Sequence, residues 1–105
     1  MKDLNQTARV LSALGHEARL SLFRLLVRAG DGGLNVGDLR THLGIPATTL
    51  GHHLSALVEV GLVQQERCGR EVINRVNYPA VRAVADFLTA ECCRGVDKAE
   101  EGAAC

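Results

Sequence analysis

The chain has 105 residues, of which 47% are hydrophobic and 3% aromatic, and its 12 basic residues balance its 12 acidic ones. This length fits one domain with a thin aliphatic core, a size at which oligomerisation often supplies missing stability. No apolar run is long enough to span a membrane and no signal peptide precedes the first apolar stripe, so we expect a cytoplasmic protein without membrane contact.

Three helices are predicted in the first half of the chain. Apolar residues at helical spacing predict the first helix over residues 4–14, ended by Gly15. A second helix is predicted over residues 18–29 and is apolar nearly all round, so we expect it at the buried centre of the domain. After a glycine-rich loop, Asn35 is the predicted N-cap of a short helix over residues 36–43.

A turn over residues 44–46 leads into the most informative helix of the chain. The apolar stripe that would dock on the core consists of Leu50, Leu54, Leu57 and Val58. The opposite face is short or hydrogen-bonding and consists of Thr48, Gly51, His52 and Ser55. With the preceding short helix this makes a helix-turn-helix pattern, and such a face can read base edges in the DNA major groove. An ordinary surface helix with a polar outer face is the alternative.

Two strands are predicted after Gly61, which stops this helix. Residues 62–67 form the first strand candidate, residues 68–71 a turn, and residues 72–78 alternate apolar and polar like a half-buried strand. A recognition helix followed by a two-stranded ribbon is a winged helix. Arginines near the tip of the ribbon are placed to contact phosphates beside the groove. These arginines are Arg67, Arg70 and Arg75.

Three motifs occur in order along the chain: Ala-Leu-Gly-His-Glu-Ala-Arg-Leu at 13–20, Thr-Leu-Gly-His-His-Leu at 49–54 and Val-Gly-Leu-Val at 60–63. Together they resemble the ArsR family of metalloregulatory repressors, and the resemblance covers most of the chain. It implies a mainly α winged helix-turn-helix of order α-α-α-α-β-β-α that represses transcription as a dimer on operator DNA. His53 is interpreted as a packing residue. The positions at which the family contacts DNA are occupied here by Ala47, Thr48, Gly51 and His52.

The last helix is predicted to begin at Tyr78-Pro79, since proline is favoured in a first turn. Its apolar stripe consists of Val81, Val84, Ala85, Leu88 and Cys92. The resemblance implies that this helix and the first one form a homodimer interface, and two terminal helices with apolar faces need such a partner. A two-fold dimer would present its recognition helices to successive major grooves about 34 Å apart, so we expect an inverted-repeat operator.

The four cysteines of the chain predict an inducer site. Cys92 and Cys93 are adjacent at the end of the last helix, and Gly95 is predicted to end that helix just beyond them. The domain is predicted over residues 1–94, and Cys105 ends a polar tail over residues 95–105. Clustered cysteines in a cytosolic regulator are more often metal-binding or redox-active than structural. Three thiolates suit a soft ion that accepts three-coordination, so the predicted inducer is As(III) or Sb(III), bound by all three of these cysteines.

Two metal sites of the family are not expected here. The commonest arsenic site uses cysteines on the helix before the recognition helix, where this chain has Val36, Asp38 and Leu39. All four histidines precede the wing, so an interhelical zinc site on the last helix is not expected either. If the protein senses arsenic, its site has therefore moved toward the C-terminus.

Alternatives to an arsenic site remain open. Cys92 or Cys93 could form a disulfide or persulfide with Cys105, which would make the protein a redox-responsive repressor. Cys92 could instead be a small core residue and Cys105 an incidental thiol, and Cys68 in the wing turn is left out of the site. A small thiol enzyme or metal carrier is another class. No Cys-x-x-Cys, paired-carboxylate or glycine-rich phosphate motif supports it, so no catalytic activity is expected.

Overall fold

The structure is a computed structural model, and it describes residues 4–97. Its helices are α1 (Leu4–Leu14), α2 (Glu17–Ala29), α3 (Val36–Leu43), α4 (Ala47–Glu59) and α5 (Tyr78–Thr89). Its strands are β1 (Leu34–Asn35), β2 (Val63–Cys68) and β3 (Glu71–Val76), and a 3-10 turn covers Gly30–Gly32. The predicted winged-helix order is confirmed. Within the described residues, no helix has the length and apolar character needed to cross a membrane.

The core lies where α2 and α4 pack on each other and on the sheet. The leucines at its centre, which have no exposed surface, are Leu22, Leu26, Leu39, Leu50 and Leu57. Only one face of α2 meets this core, and Leu20 on its other side is 43% exposed. The prediction that α2 is buried nearly all round is therefore wrong, because an apolar composition does not reveal which side of a helix has neighbours.

A short third strand extends the wing hairpin. β2 and β3 pair antiparallel with Val63 opposite Val76, and β1 pairs with the other edge of β3, so the strand order is β1-β3-β2. Asn74 at the centre of β3 is completely buried. Its amide nitrogen donates to the carbonyl oxygen of Leu34 at 3.1 Å, and its Oδ1 accepts from the Gln65 amide at 2.8 Å. This buried amide holds β1 and β2 on the two sides of β3.

Two caps set the geometry of the helix-turn-helix. The side chain of Asn35 accepts a hydrogen bond from the backbone N–H of Asp38 at 2.8 Å, which confirms the predicted N-cap of α3. α3 ends at Gly44, which has a left-handed φ of 67° and donates its N–H to the carbonyl oxygen of Arg40. Pro46 then precedes α4 in extended conformation. The turn between α3 and α4 is therefore short and closed by backbone hydrogen bonding.

α5 ends earlier than its sequence predicts. Its last residue is Thr89, whose hydroxyl donates back to the carbonyl oxygen of Ala85 at 3.2 Å, and the chain then makes a turn. The predicted end near Gly95 is wrong, and so is the placement of Cys92 on the apolar stripe of the helix. Cys92 and Cys93 both lie in the turn beyond α5.

Candidate nucleic-acid interface and cysteine site

The outer face of α4 is exposed along the helix. The four predicted DNA-contacting residues on this face are all exposed, and they are Ala47, Thr48, Gly51 and His52. Leu50, Leu54 and Leu57 anchor the inner face in the core, and none of them is more than 4% exposed. The predicted division of this helix into a docked side and a free side is therefore confirmed. None of the four exposed residues carries a negative charge, so they do not repel phosphate groups.

The three predicted wing arginines differ in exposure and in bonding. Arg67 and Arg70 are exposed near the tip of the hairpin. Arg75 is half-buried, and its Nε donates to the carbonyl oxygen of Asp31 at 2.9 Å while its Nη1 pairs with the Glu66 carboxylate. Its guanidinium therefore fastens the hairpin to the loop after α2. Arg67 and Arg70 have no such bonds within the described residues, so they are the wing cations available to a phosphate.

The inner side of α4 also carries a histidine contact. The Nδ1 atom of His53, which is 9% exposed, accepts a hydrogen bond from Arg19 Nε on α2 at 3.3 Å. The His16 and His53 rings lie with their centroids 5.1 Å apart. Desolvation by burial lowers the pKa of His53, and the charges of His16, Arg19 and His52 lower it further. The interpretation of His53 as a packing residue agrees with its burial, whereas nothing in the sequence pairs it with Arg19, 34 positions away.

The turn after α5 brings two thiols together. The Sγ atoms of Cys92 and Cys93 are 3.0 Å apart, and both residues are exposed. Cys93 has a left-handed φ of 66° and Glu91 one of 62°, so the backbone leaves the helical path on both sides of Cys92. The hydrogen bond with the Cys93 sulfur raises the pKa of the Cys92 thiol, and desolvation acts in the same direction. The turn thus places the two sulfur atoms side by side, which an ideal helix would not.

The predicted third ligand, Cys105, lies outside the described residues. Within residues 4–97, no group of three or more cysteine, histidine or acidic side chains is close enough to hold a metal ion. Cys68 is exposed at the end of β2 and belongs to no such group. The described part of the chain therefore supplies two thiols to the predicted ion site.

A second exposed surface is apolar. α1 and α5 pack on each other, and each carries apolar side chains on its outer side as well as buried ones. Leu4 is 71% exposed, Leu11 39% and Leu88 59%, and these three residues are here named the terminal-helix face. The predicted interface through the first and last helices corresponds to this face.

Comparison with known proteins gives matches over most of the chain. The model of a helix-turn-helix domain family matches residues 14–66. The chain is 35% identical over 87 residues to the biofilm growth-associated repressor of Xylella fastidiosa, a match that covers 83% of this chain and 74% of that protein. It is 32% identical over 93 residues to a probable mercury resistance operon repressor of Streptomyces lividans, which covers 89% of this chain and 70% of that protein.

The three-dimensional structure also has solved relatives. One is a homodimeric winged helix-turn-helix DNA-binding domain from Mycobacterium bovis, described as a possible ArsR-family transcriptional regulator. It matches with a TM-score of 0.68 and 28% identity, and the match covers 91% of this chain and 90% of that one. Sequence and structure comparisons therefore agree on the same architecture.

Proposed function

Because the chain belongs to the ArsR family of winged-helix transcriptional regulators, we propose that it is a homodimeric repressor that As(III) or Sb(III) releases from operator DNA. The ion binds to Cys92 and Cys93, and Cys105 is its third ligand. The observation that carries this proposal is the pair of exposed sulfur atoms 3.0 Å apart in the turn after α5.

The DNA-binding surface in this proposal combines the outer face of α4 with the wing. Thr48 and His52 present hydrogen-bonding groups to base edges in the major groove. Arg67 and Arg70 contact phosphates beside it, which adds affinity but little sequence discrimination. Gly51 supports this docking, because a Cβ there would meet no atom within 4 Å and the glycine leaves room for close approach of another molecule.

The terminal-helix face is the dimer interface in this proposal. Leucines that are 59% and 71% exposed on adjacent helices gain stability when a second copy covers them. The solved relative from Mycobacterium bovis is homodimeric, which supports the same assembly here. A two-fold dimer places its two recognition helices in successive major grooves, about 34 Å apart, and so selects an inverted repeat.

The geometry of the cysteine pair favours a pyramidal ion. Two sulfur atoms 3.0 Å apart on neighbouring residues are placed to bind one ion from the same side, which suits the nearly right-angled bonds of trivalent arsenic or antimony. Linear coordination of a mercuric ion by this pair alone would need the sulfurs on opposite sides. A structural zinc site would need four ligands. Each arsenic–sulfur bond forms as a thiol proton joins a hydroxide of arsenous acid and leaves as water.

Ion binding must favour a conformation that fits DNA poorly, since a ligand with equal affinity for both states shifts nothing. The cysteine turn directly follows α5, which belongs to the terminal-helix face. Drawing the C-terminal tail onto this turn changes how α5 packs in the dimer and misplaces the paired recognition helices. A tenfold loss of operator affinity needs only about 1.4 kcal/mol of coupling.

The test is release of operator DNA by arsenite, measured by fluorescence anisotropy with reduced protein and upstream DNA of its own gene. Arsenite should weaken binding of the wild-type protein at least tenfold, about 1.4 kcal/mol. Cys92→Ser and Cys93→Ser should bind DNA normally and fail to respond. Cys105→Ser should respond weakly, because it keeps the Cys92–Cys93 pair whose sulfur atoms the turn places side by side.

Cys68→Ser is the matched control, since it removes an exposed cysteine outside the pair. It should respond like the wild type. Full release of the Cys92→Ser, Cys93→Ser double variant by arsenite would exclude this site, and a response lost only in Cys68→Ser would move the site to the wing.

Thiol oxidation is a second candidate signal, favoured by the same closeness of the two sulfurs. A peroxide would take two electrons and two protons from two thiols of the set Cys92, Cys93 and Cys105 and leave a disulfide and water. Arsenic–thiolate bonds absorb in the ultraviolet, whereas a disulfide gives no comparable band. Release of DNA by peroxide with no response to arsenite would favour this second function.

A further inference from the structure

Arg19 connects three helices near the DNA-facing part of the molecule. It lies on α2, and its Nη1 donates to the carbonyl oxygen of Ala13 near the end of α1 at 3.5 Å. Its Nε donates to Nδ1 of His53 on α4 at 3.3 Å. The side chain of Arg19 is half-buried, so water competes with these bonds less than at the surface. One guanidinium thus ties the recognition helix to both helices behind it.

The bond between Arg19 and His53 requires a neutral imidazole. Nδ1 can accept from the guanidinium only while its lone pair is free, with the ring proton on Nε2. When the ring gains a second proton, Nδ1 becomes a donor and faces a cationic donor. The hydrogen bond is then replaced by repulsion.

The surroundings of His53 disfavour its protonation. The groups whose charge acts on it are His16 and Arg19 on the α2 side and His52 on its own helix, and none of them is a carboxylate. The only other polar contact to its ring among the described residues is the tilted packing of His16. Among residues 4–97, therefore, no carboxylate is placed to stabilise a protonated His53.

We propose that Arg19 positions the recognition helix for DNA by bonding to neutral His53, and that protonation of His53 releases this bond and weakens operator binding. The inference rests on the proposed docking of α4 in the major groove. His53 lies next to His52 in the chain, and its side chain is buried whereas that of His52 is exposed. When the bond on the buried side of α4 is lost, the helix can shift, and the exposed residues that contact the bases in the proposed complex shift with it.

The first test is the pH dependence of operator affinity for wild-type protein and for His53→Asn. Asparagine places an oxygen acceptor the same number of bonds from the backbone as Nδ1, and it does not titrate. The pKa of His53 lies below the ordinary value of 6.5, so the wild type should keep its affinity at neutral pH and lose it as the pH falls below 6.5. At the low end of the pH range, the operator affinity of the wild type should fall about three- to tenfold relative to that of His53→Asn, the scale of one hydrogen bond.

His52 and His16 are present in both proteins, so an effect that both proteins share divides out of the ratio of the two affinities. A ratio of wild-type to His53→Asn affinity that stays constant from neutral pH to well below 6.5 would overturn the proposal.

The second test removes the donor. Arg19→Met keeps most of the aliphatic stem and loses the guanidinium, and Arg24→Met removes an exposed arginine of the same helix as a matched control for lost charge. Arg19→Met should bind the operator about three- to tenfold more weakly than Arg24→Met at neutral pH. The difference should shrink once His53 is protonated. Equal affinities of the two variants at neutral pH would contradict the proposal.

These outcomes are separable from failure of the proposed function. If α4 does not dock in the groove, His52→Ala leaves operator affinity unchanged, whatever Arg19 and His53 do. Arsenite is absent from all of these measurements, so they do not depend on the cysteine site. Circular dichroism at each pH checks that the variants are folded. If Arg19→Met does not fold, the pH dependence of His53→Asn alone tests whether the bond between Arg19 and His53 affects operator affinity.

Discussion

Gly51 occupies the middle of α4 although glycine lowers helix stability by about 1 kcal/mol relative to alanine. Its backbone is helical and an added Cβ would meet no atom within 4 Å, so no contact within the described residues requires glycine here. In the proposed complex, a DNA backbone or base edge lies close to the helix axis at this position, which would favour glycine over a larger residue.

Gly51→Ala should therefore raise the free energy of unfolding by about 1 kcal/mol, because alanine has the higher helix propensity. The same variant should bind operator DNA more weakly, because the methyl group stands where the DNA approaches. Urea denaturation and anisotropy titration measure the two effects. A gain in stability with unchanged DNA affinity would place the DNA elsewhere on the helix.

His52→Ala and Thr48→Ala should each weaken specific operator binding by about 1–3 kcal/mol, the scale of a lost base contact. Their affinity for unrelated DNA should change little, since base contacts carry the discrimination. His42→Ala, an exposed histidine on α3, is the control and should keep the specificity ratio. If His52→Ala kept the wild-type ratio of specific to non-specific affinity, the assignment of this residue to the groove would be wrong.

At the scale of elements, long periodic segments were predictable from the sequence and short or unsupported ones were not. α1 and α4 have apolar stripes of several turns, and α3 has a side-chain cap at Asn35, so periodicity and capping define them. β1 has two residues, too few for an alternating pattern, and exists because the buried Asn74 binds its backbone. Its pairing spans 40 positions, which no local rule detects.

The end of α5 was mispredicted for a related reason. Gly95 is a typical stop signal, but the helix ends where packing and local hydrogen bonding stop supporting it, at Thr89. The hydroxyl of Thr89 bonds to carbonyl oxygens of the preceding turn. Residue type and adjacency single out Cys92 and Cys93 as a candidate site, which stays a prediction. The turn that brings its sulfurs together depends on backbone angles that the sequence does not reveal.

The junction before β1 depends on Gly33. This residue has a φ of 68°, and a Cβ there would lie 2.6 Å from both the Asn74 carbonyl oxygen and the Ile73 Cγ2 atom. Gly33→Ala should destabilise the protein by about 2 kcal/mol or more, through strain and the displacement of β1 from β3. Gly32→Ala is the matched control, since no atom lies within 4 Å of its added Cβ. Thermal unfolding distinguishes them, and equal midpoints would show that β1 contributes nothing to stability.

The wing offers a paired prediction. Arg70→Gln removes an exposed cation and should weaken binding to all DNA sequences alike, lowering the slope of log affinity against log salt by about one. Arg75→Gln breaks the bonds to Asp31 and Glu66, so it should lower the free energy of unfolding. It should change the salt slope less than Arg70→Gln does. Titrations at several salt concentrations and urea denaturation test both variants. An unchanged salt slope for Arg70→Gln would remove the wing tip from the DNA contact.

At the scale of the whole molecule, the terminal-helix face is the proposed dimer interface. Its leucines are exposed in the single chain, while the recognition helix lies on a different part of the fold. A chain this small has a thin core, so the protein gains stability when a second copy covers such an apolar face. Dimerisation also raises operator affinity, because binding of one half-site makes binding of the second intramolecular.

Leu88→Glu places a charge in this interface and should yield monomers, with a collapse of affinity for the paired half-sites. Leu20→Glu is the matched control, because Leu20 is also an exposed leucine, on α2 rather than on the terminal-helix face. It should remain dimeric. Sedimentation velocity reports the oligomeric state, and an intact Leu88→Glu dimer would move the interface to another surface.

Asn35 belongs to two elements at once, as the last residue of β1 and the N-cap of α3. No linker residue therefore separates the sheet that carries the wing from the helix-turn-helix, and we expect each subunit to bind its half-site of the proposed operator as one unit. A half-site whose groove is too narrow or too wide has to deform to fit, at an energy set by the flexibility of its base steps. If the distance between the half-sites changes, we expect the two subunits to adjust by moving relative to each other at the dimer interface. Operators should thus differ in strength through the stiffness of base pairs that the protein never touches.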